Sequence, residues 1–252
     1  MSTVLIANGL KKSFGGVKAV DDVSFEVEAG HLLAMIGPNG AGKTTCFNLL
    51  NGQLKPDEGS VTLEGQQLVG LTPRQIWRLG VGRTFQITAT FGSMTVLENV
   101  QMALLSHNQK NMAIRAVVSN LYVDEAMALL ERVGMVEQSG RACSILAYGD
   151  LKRVELAVAL GNEPRLLLMD EPTAGMAPRE RIELMELTAE IVRERNISVL
   201  FTEHDMDVVF GHADEVIVLN RGQLIAKGAP DDVRNDAQVQ EIYLGSGSTF
   251  AA

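Results

Sequence analysis

The chain has 252 residues, 46% of them apolar and 21% charged. That length and composition support a substantial core, as one large domain or one core with an insertion, and exclude extensive disorder. A formal charge of −9 argues against nucleic acid or an anionic lipid surface as the main partner, while leaving room for a local basic patch.

In chain order, the opening "MSTVLIANGLKKSF" lacks the layout of a signal peptide, because its lysines follow its apolar residues. "VSFEVEAG" (23–30) alternates in strand fashion, and "HLLAMI" (31–36) is an apolar run of the kind that forms a strand buried on both faces. Then come Gly37, Pro38, Asn39, Gly40, Ala41, Gly42, Lys43 and Thr44, a strand-to-helix turn matching G-x-x-x-x-G-K-[ST], with Thr45 following. Side chains are absent there so that backbone N–H groups can cradle phosphate oxygens. A helix N-terminus adds partial positive charge and Lys43 a full one. The Thr44 hydroxyl suits Mg²⁺. Eight matched positions in a strand–helix context imply a nucleoside triphosphate site.

The helix from Lys43 meets neither Gly nor Pro until Gly52, a plausible C-cap. Cys46 and Cys143 fall in helical or core segments and read as small buried hydrophobes. "GSVTLEGQQL" reads as a strand pair turning at Glu64-Gly65, and Thr72-Pro73-Arg74-Gln75 as a capped helix start. From about 87 to 162 strand alternation disappears, Thr95-Val96-Leu97-Glu98 forms a capping box, and "VDEAMALLERVG" is helical. "LLLMDEP" (166–172) is a buried strand ending in two acids. Asp170 stands where an open α/β sheet presents a carboxylate to Mg²⁺, and Glu171 is placed to polarise an attacking water. "RERIELMELTAEIVRERN" is an amphipathic helix, "SVLFTEH" a strand, and "EVIVLNRGQLIAKG" a hairpin turning at Asn220-Arg221-Gly222. The tail "GSGSTFAA" reads as frayed. No internal repeat, no run of about 18 apolar residues that could span a bilayer and no sustained heptads are present. The predicted fold class is α/β, an open-sheet core interrupted by a helical insertion.

With these motifs in this order, the chain resembles the ATP-binding subunit of an ABC transporter nearly end to end. The resemblance implies a P-loop NTPase core with an antiparallel β subdomain and an inserted helical subdomain. It divides the chain into a discontinuous core (1–86 and 163–230), a helical subdomain (87–162) and a C-terminal helix with a frayed tail (231–252). Phe14 sits where the family stacks an aromatic on adenine. Gln86, in "GRTFQ", falls at the glutamine that contacts Mg²⁺ or water and faces the membrane subunit. His204, in "FTEHD", occupies the switch histidine beside the γ-phosphate. "LAYGD" occupies the signature position, which approaches the γ-phosphate held by a second subunit, so one chain carries half a site. Two departures stand out. The usual L-S-G-G-Q reads Leu146-Ala147-Tyr148-Gly149-Asp150, without the serine hydroxyl, and Ala177 stands where many members carry an aspartate. The helix behind the signature turns Leu151, Val154 and Val158 to one inner face, and on a purely structural reading Asp150 caps its start.

The wordings "TFQITATFGSMTVLENV", "LAYGD", "EPTAGMAP", "FTEHDMDVVF" and "IYLG" together resemble the ATPase subunits of importers for branched-chain and other hydrophobic amino acids. That resemblance implies ATP and Mg²⁺ as cofactors and integral permease subunits as partners. It also implies a second ATPase subunit, a paralogue or another copy, and indirectly an extracytoplasmic binding protein, with no nucleic acid. The place implied is the cytoplasmic face of the plasma membrane, reached through the permeases. Competing readings are the ATPase of a lipid or lipopolysaccharide exporter and a soluble ABC ATPase unconnected with transport.

Overall fold

The computed structural model describes residues 2–84, 90–108 and 121–245. The alternating N-terminal segments form a long hairpin of β1 (Thr3–Phe14) and β2 (Val17–Glu28), and the Glu64-Gly65 turn joins β4 (Glu58–Leu63) to β5 (Gln66–Gln67). These four strands make an antiparallel sheet in the order β2-β1-β4-β5. One face carries Leu5, Ala7, Val23, Phe25 and Val27 inward.

The second sheet combines β3 (Leu32–Ile36), β6 (Val81–Thr84), β7 (Leu166–Asp170), β8 (Ser198–Thr202), β9 (Glu215–Asn220) and β10 (Gln223–Gly228). Its order is β10-β9-β3-β8-β7-β6, parallel throughout except for the antiparallel edge strand β10. All five positions of β3, β7 and β8 are buried. Such strands read as unbroken apolar runs because both faces are covered, and successive side chains go to opposite faces. Leu33, Met35, Leu166, Leu168 and Leu200 join the core shared with the antiparallel sheet and helix α1 (Lys43–Leu50). Their neighbours Leu32, Ala34, Ile36, Leu167, Met169, Val199 and Phe201 join the helical core on the other side.

Beyond β5 the capping boxes appear as expected. Thr72 opens α2 (Pro73–Arg78), donating its N–H to Gln75 Oε1 at 2.9 Å, and Thr95 opens α3 (Val96–His107), donating to Glu98 Oε2 at 2.7 Å. The described residues between 90 and 162 hold α3, α4 (Val123–Arg132), α5 (Tyr148–Leu160) and two short 3-10 turns, and no strand. Helices α3, α4 and α5 pack on one another. Val154 is fully buried, with Leu151 and Val158 partly buried against the same core. Asp150 differs from the structural expectation: Ala147 is the N-cap of α5, and no side chain caps it.

After β7 the chain forms α6 (Pro178–Arg195), and after β8 α7 (Met206–His212). The strand expected over "SVLFTEH" stops at Thr202, so Glu203 and His204 leave the sheet. The C-terminal region holds two helices where one was expected, α8 (Pro230–Asn235) and α9 (Ala237–Gly245). Asp236 between them is extended, and its Oδ1 accepts from the N–H groups of Gln238 and Val239 at 2.8 and 3.0 Å. An aspartate that caps the next helix breaks the one before it. Most of the predicted frayed tail lies outside the described residues. Both cysteines are free and buried, and burial pushes the Cys46 thiol up to about 12.

Candidate functional site

The glycine-rich turn leaves β3 at its C-terminal end and enters α1 directly. Gly37 and Gly42 have φ of 151° and 107°, and a Cβ on either would overlap a backbone carbonyl, that of Leu219 or of Ala19. Only glycine satisfies both the angle and the close approach. The turn is fixed from the neighbouring hairpin by Gly222 N–H donating to the Ala41 carbonyl at 2.9 Å. Lys43 is 7% exposed, and its ammonium donates to the carbonyl oxygens of Gly37 at 2.5 Å and Pro38 at 3.3 Å. Burial pulls its pKa below the ordinary value, and the charges of Glu171 and Asp170 oppose that shift.

A cavity of about 300 Å³ opens over this turn, lined by Ala19, residues 39–45, Glu171 and His204. The fold thus brings Asn39, Gly40, Ala41, Gly42, Lys43, Thr44 and Thr45 together with the predicted acid and histidine, from three separate stretches of chain.

Strand register explains the acid pair. Asp170 and Thr202 are partners across β7 and β8. Thr202 Oγ1 donates to Asp170 Oδ1 at 2.8 Å. The N–H of Glu171 points back to the same threonine, 3.0 Å from Oγ1 and 3.1 Å from its carbonyl oxygen. Arg83, on β6, reaches Asp170 Oδ2 at 3.5 Å and donates to Asn48 at 2.9 Å. Burial depresses the pKa of its guanidinium, against the pull of Asp170. Glu171 has left the strand with φ 50°, left-handed backbone that is uncommon and costly outside glycine. His204 Nε2 lies 2.9 Å from Glu171 Oε1, so the ring donates to the carboxylate.

One further carboxylate stands behind this pair. Glu203 is 3% exposed and accepts through Oε1 from the N–H and hydroxyl of Thr173, at 2.8 and 2.7 Å, and through Oε2 from the His204 N–H at 3.2 Å. Burial raises its pKa and these hydrogen bonds hold it down. Arg83, Thr173, Thr202 and Glu203 were missed in the sequence. Their roles come from neighbouring strands and loops, and the one local sign was a polar residue closing the apolar run "SVLFT".

Other predicted residues lie apart from this cavity. Phe14 ends β1, 47% exposed, with the Lys12 ammonium 5.7 Å from its ring, and it does not line the cavity. Ala147, Tyr148, Gly149 and Asp150 form the start of α5, also outside the lining. The Tyr148 ring covers Gly175 and lies 5.5 Å below the ammonium of Lys152, itself in a buried ion pair with Glu155 at 3.0 Å. Ala177 is the N-cap of α6 and donates its N–H to Glu180 at 3.2 Å, with no side-chain oxygen to return the bond. Gln86 lies outside the described residues. Among the described residues no group of three or more His, Cys, Asp or Glu is placed to hold a metal, and no helix is long and apolar enough to cross a membrane.

The ABC transporter family model matches residues 20–174, and one described as branched-chain amino acid ATP-binding cassette transporter matches residues 223–248. The high-affinity branched-chain amino acid transport ATP-binding protein LivG of Salmonella typhimurium is 44% identical over 254 residues, covering 97% of this chain and 99% of that one. The corresponding protein BraF of Pseudomonas aeruginosa is 38% identical, covering 96% and 98%. Among solved structures, the ADP conformation of an ATP-binding cassette of an ABC transporter matches with a TM-score of 0.87 at 33% identity, over 97% of this chain and all of that one. A nucleotide-free ATP-binding cassette matches with 0.85 at 33%, over 96% and 99%.

Proposed function

The chain belongs to the ABC transporter family, as an ATP-binding subunit, and from that premise we propose that it hydrolyses ATP to power an importer of branched-chain or other hydrophobic amino acids. One observation carries the reading: the glycine-rich turn, Glu171 and His204 share a single cavity.

Each group has a distinct task in that reaction. Backbone N–H groups of residues 39–45 and the ammonium of Lys43 hold the phosphates of ATP. Lys43, already buried and hydrogen-bonded to loop carbonyls, needs little desolvation or ordering to do so. The hydroxyl of Thr44 and the carboxylate of Asp170 are hard oxygen donors of the kind Mg²⁺ prefers, with Gln86 a further candidate by family position. Held by Thr44 and Asp170, Mg²⁺ would neutralise charge on the phosphate oxygens. Thr202 aims Asp170, and Glu171 takes the proton from water as it attacks the γ-phosphate. His204 orients the Glu171 carboxylate. Phe14 offers an exposed ring for the adenine.

Ala147, Tyr148, Gly149 and Asp150 lie away from this cavity, which supports their serving a second ATPase subunit's nucleotide. A groove of about 440 Å³ lined by Trp77, Phe91, Asn99, Met102 and Val158 supports docking of a permease subunit beside residues 86–100. That contact brings the chain to the cytoplasmic face of the plasma membrane. Strands β6 and β7 lie side by side although about 80 residues separate them, which supports a core of 1–86 and 163–230 with 87–162 as a helical subdomain.

The test is uptake of leucine into vesicles containing the permease pair, both ATPase subunits and the binding protein. ATP-driven uptake that disappears with Lys43→Ala is the expected result. Leucine-independent hydrolysis with no uptake would overturn the amino-acid assignment.

A further inference from the structure

Glu203 belongs neither to the phosphate turn nor to the acid pair, yet its carboxylate is buried between the segment that follows Glu171 and the backbone of His204. Burying a carboxylate is expensive unless donors surround it, and here three do. Two of them come from Thr173, two residues after Glu171, and the third is the N–H of His204. The next residue is tied as well: Asp205 accepts from Arg181 at 2.6 Å, and Arg181 donates to the Met176 carbonyl at 2.9 Å. His204 is therefore framed on both sides by side-chain bonds to the segment that follows Glu171.

We propose that Glu203 is a positioning residue for hydrolysis, a bracket that fastens the His204 backbone to Thr173 and so keeps the imidazole on the Glu171 carboxylate. The inference rests on Glu171 and His204 acting as argued under Proposed function. Glu171 occupies left-handed backbone and cannot rely on strand geometry for its direction. Its orientation comes from Thr202 behind it and His204 in front. Releasing the His204 backbone loosens the front contact while leaving the phosphate turn intact. The bracket thus acts on turnover and not on ATP binding.

The experiment uses the assembled transporter, measuring kcat and KM for ATP. Glu203→Gln keeps the size of the side chain, but whichever way the amide is turned an NH₂ faces a donor, at Thr173 or at His204. Thr173→Val removes one donor from the other end of the bracket, and Thr173→Ser restores it. The expected result is a kcat about tenfold lower in Glu203→Gln and Thr173→Val, since small misplacements of reacting groups are costly. KM for ATP stays unchanged, and Thr173→Ser returns to near wild-type turnover. If Glu203→Gln does not fold, the Thr173 pair decides. Wild-type kcat in Thr173→Val, equal losses in the serine and valine variants, or a loss expressed in KM would overturn the proposal. Glu171→Gln is run in parallel. Its inactivity beside normal Glu203 and Thr173 variants removes only the bracket, whereas normal turnover in Glu171→Gln removes the catalytic reading itself.

Discussion

Replacing Thr202 with valine changes one hydroxyl for a methyl group at a position with no exposed surface. Thr202 Oγ1 makes two contacts, but they are not equivalent. The N–H of Glu171 keeps the Thr202 carbonyl as acceptor at 3.1 Å after the substitution, so it is not orphaned. Asp170 is 8% exposed and loses its 2.8 Å donor, keeping the longer contact from Arg83 at 3.5 Å. A hydrogen bond to a carboxylate contributes about 1.5–3 kcal/mol. For a chain of this size each kcal/mol moves Tm by roughly 2–4 °C, which gives a fall of about 3–12 °C. Thr202→Ser is the control: it keeps the hydroxyl and loses a buried methyl, about 0.8 kcal/mol. Thermal unfolding followed by circular dichroism without nucleotide ranks the three proteins, and Mg-ATP titration should show weaker binding in the valine variant. A valine variant as stable as wild type, or less affected than serine, would refute the claim that Thr202 holds Asp170.

Lys43→Met should lose ATP binding by at least about tenfold, because the phosphates lose the one full charge within the turn; equilibrium titration with a fluorescent ATP analogue measures it. Since the pKa of Lys43 is depressed below 10.5 on folding, the unfolded chain binds the proton more tightly, and wild-type stability relative to Lys43→Met should rise with pH toward 10.5 in urea unfolding series. Gly42→Ala should impair nucleotide binding far more than Gly40→Ala. Both positions have positive φ, but a Cβ at Gly40 meets open space and costs about 1 kcal/mol of backbone strain, while one at Gly42 overlaps the Ala19 carbonyl. The missing serine hydroxyl at Ala147, where one bond to a phosphate is worth about 1.5–3 kcal/mol, and the change at Ala177 predict weak self-association and tighter pairing with a paralogous subunit. Sedimentation of Glu171→Gln with Mg-ATP, alone and mixed with that paralogue, distinguishes the two, and a tight homodimer indifferent to the paralogue would contradict it.

Local chemistry was legible in the sequence wherever a few adjacent residues carry the signal. The glycine turn, the capping boxes at Thr72 and Thr95 and the hairpin turn at Arg221-Gly222 each depend on side chains within about four positions. The paired acids were legible because an apolar run ends abruptly at Asp170. What stayed hidden depends on which strands become neighbours. Thr202 reaches Asp170 only because β8 lies beside β7, and Arg83 only because β6 takes the other side, and no periodicity encodes that order. In the sequence Glu203 is only one more acid beside His204, and its burial against Thr173 is what gives it a role. The break at Asp236 was missed because an aspartate inside an apolar-periodic stretch reads as a solvated face until its oxygen is seen capping the next helix.

The central claim is that this chain turns over ATP with Glu171 at the cavity formed by the glycine turn and His204. The most direct measurement compares ATP binding and steady-state hydrolysis of wild type and Glu171→Gln in the assembled transporter. Retained ATP binding with turnover lower by about 10²-fold or more is the predicted result. Near-normal hydrolysis in the glutamine variant would contradict it.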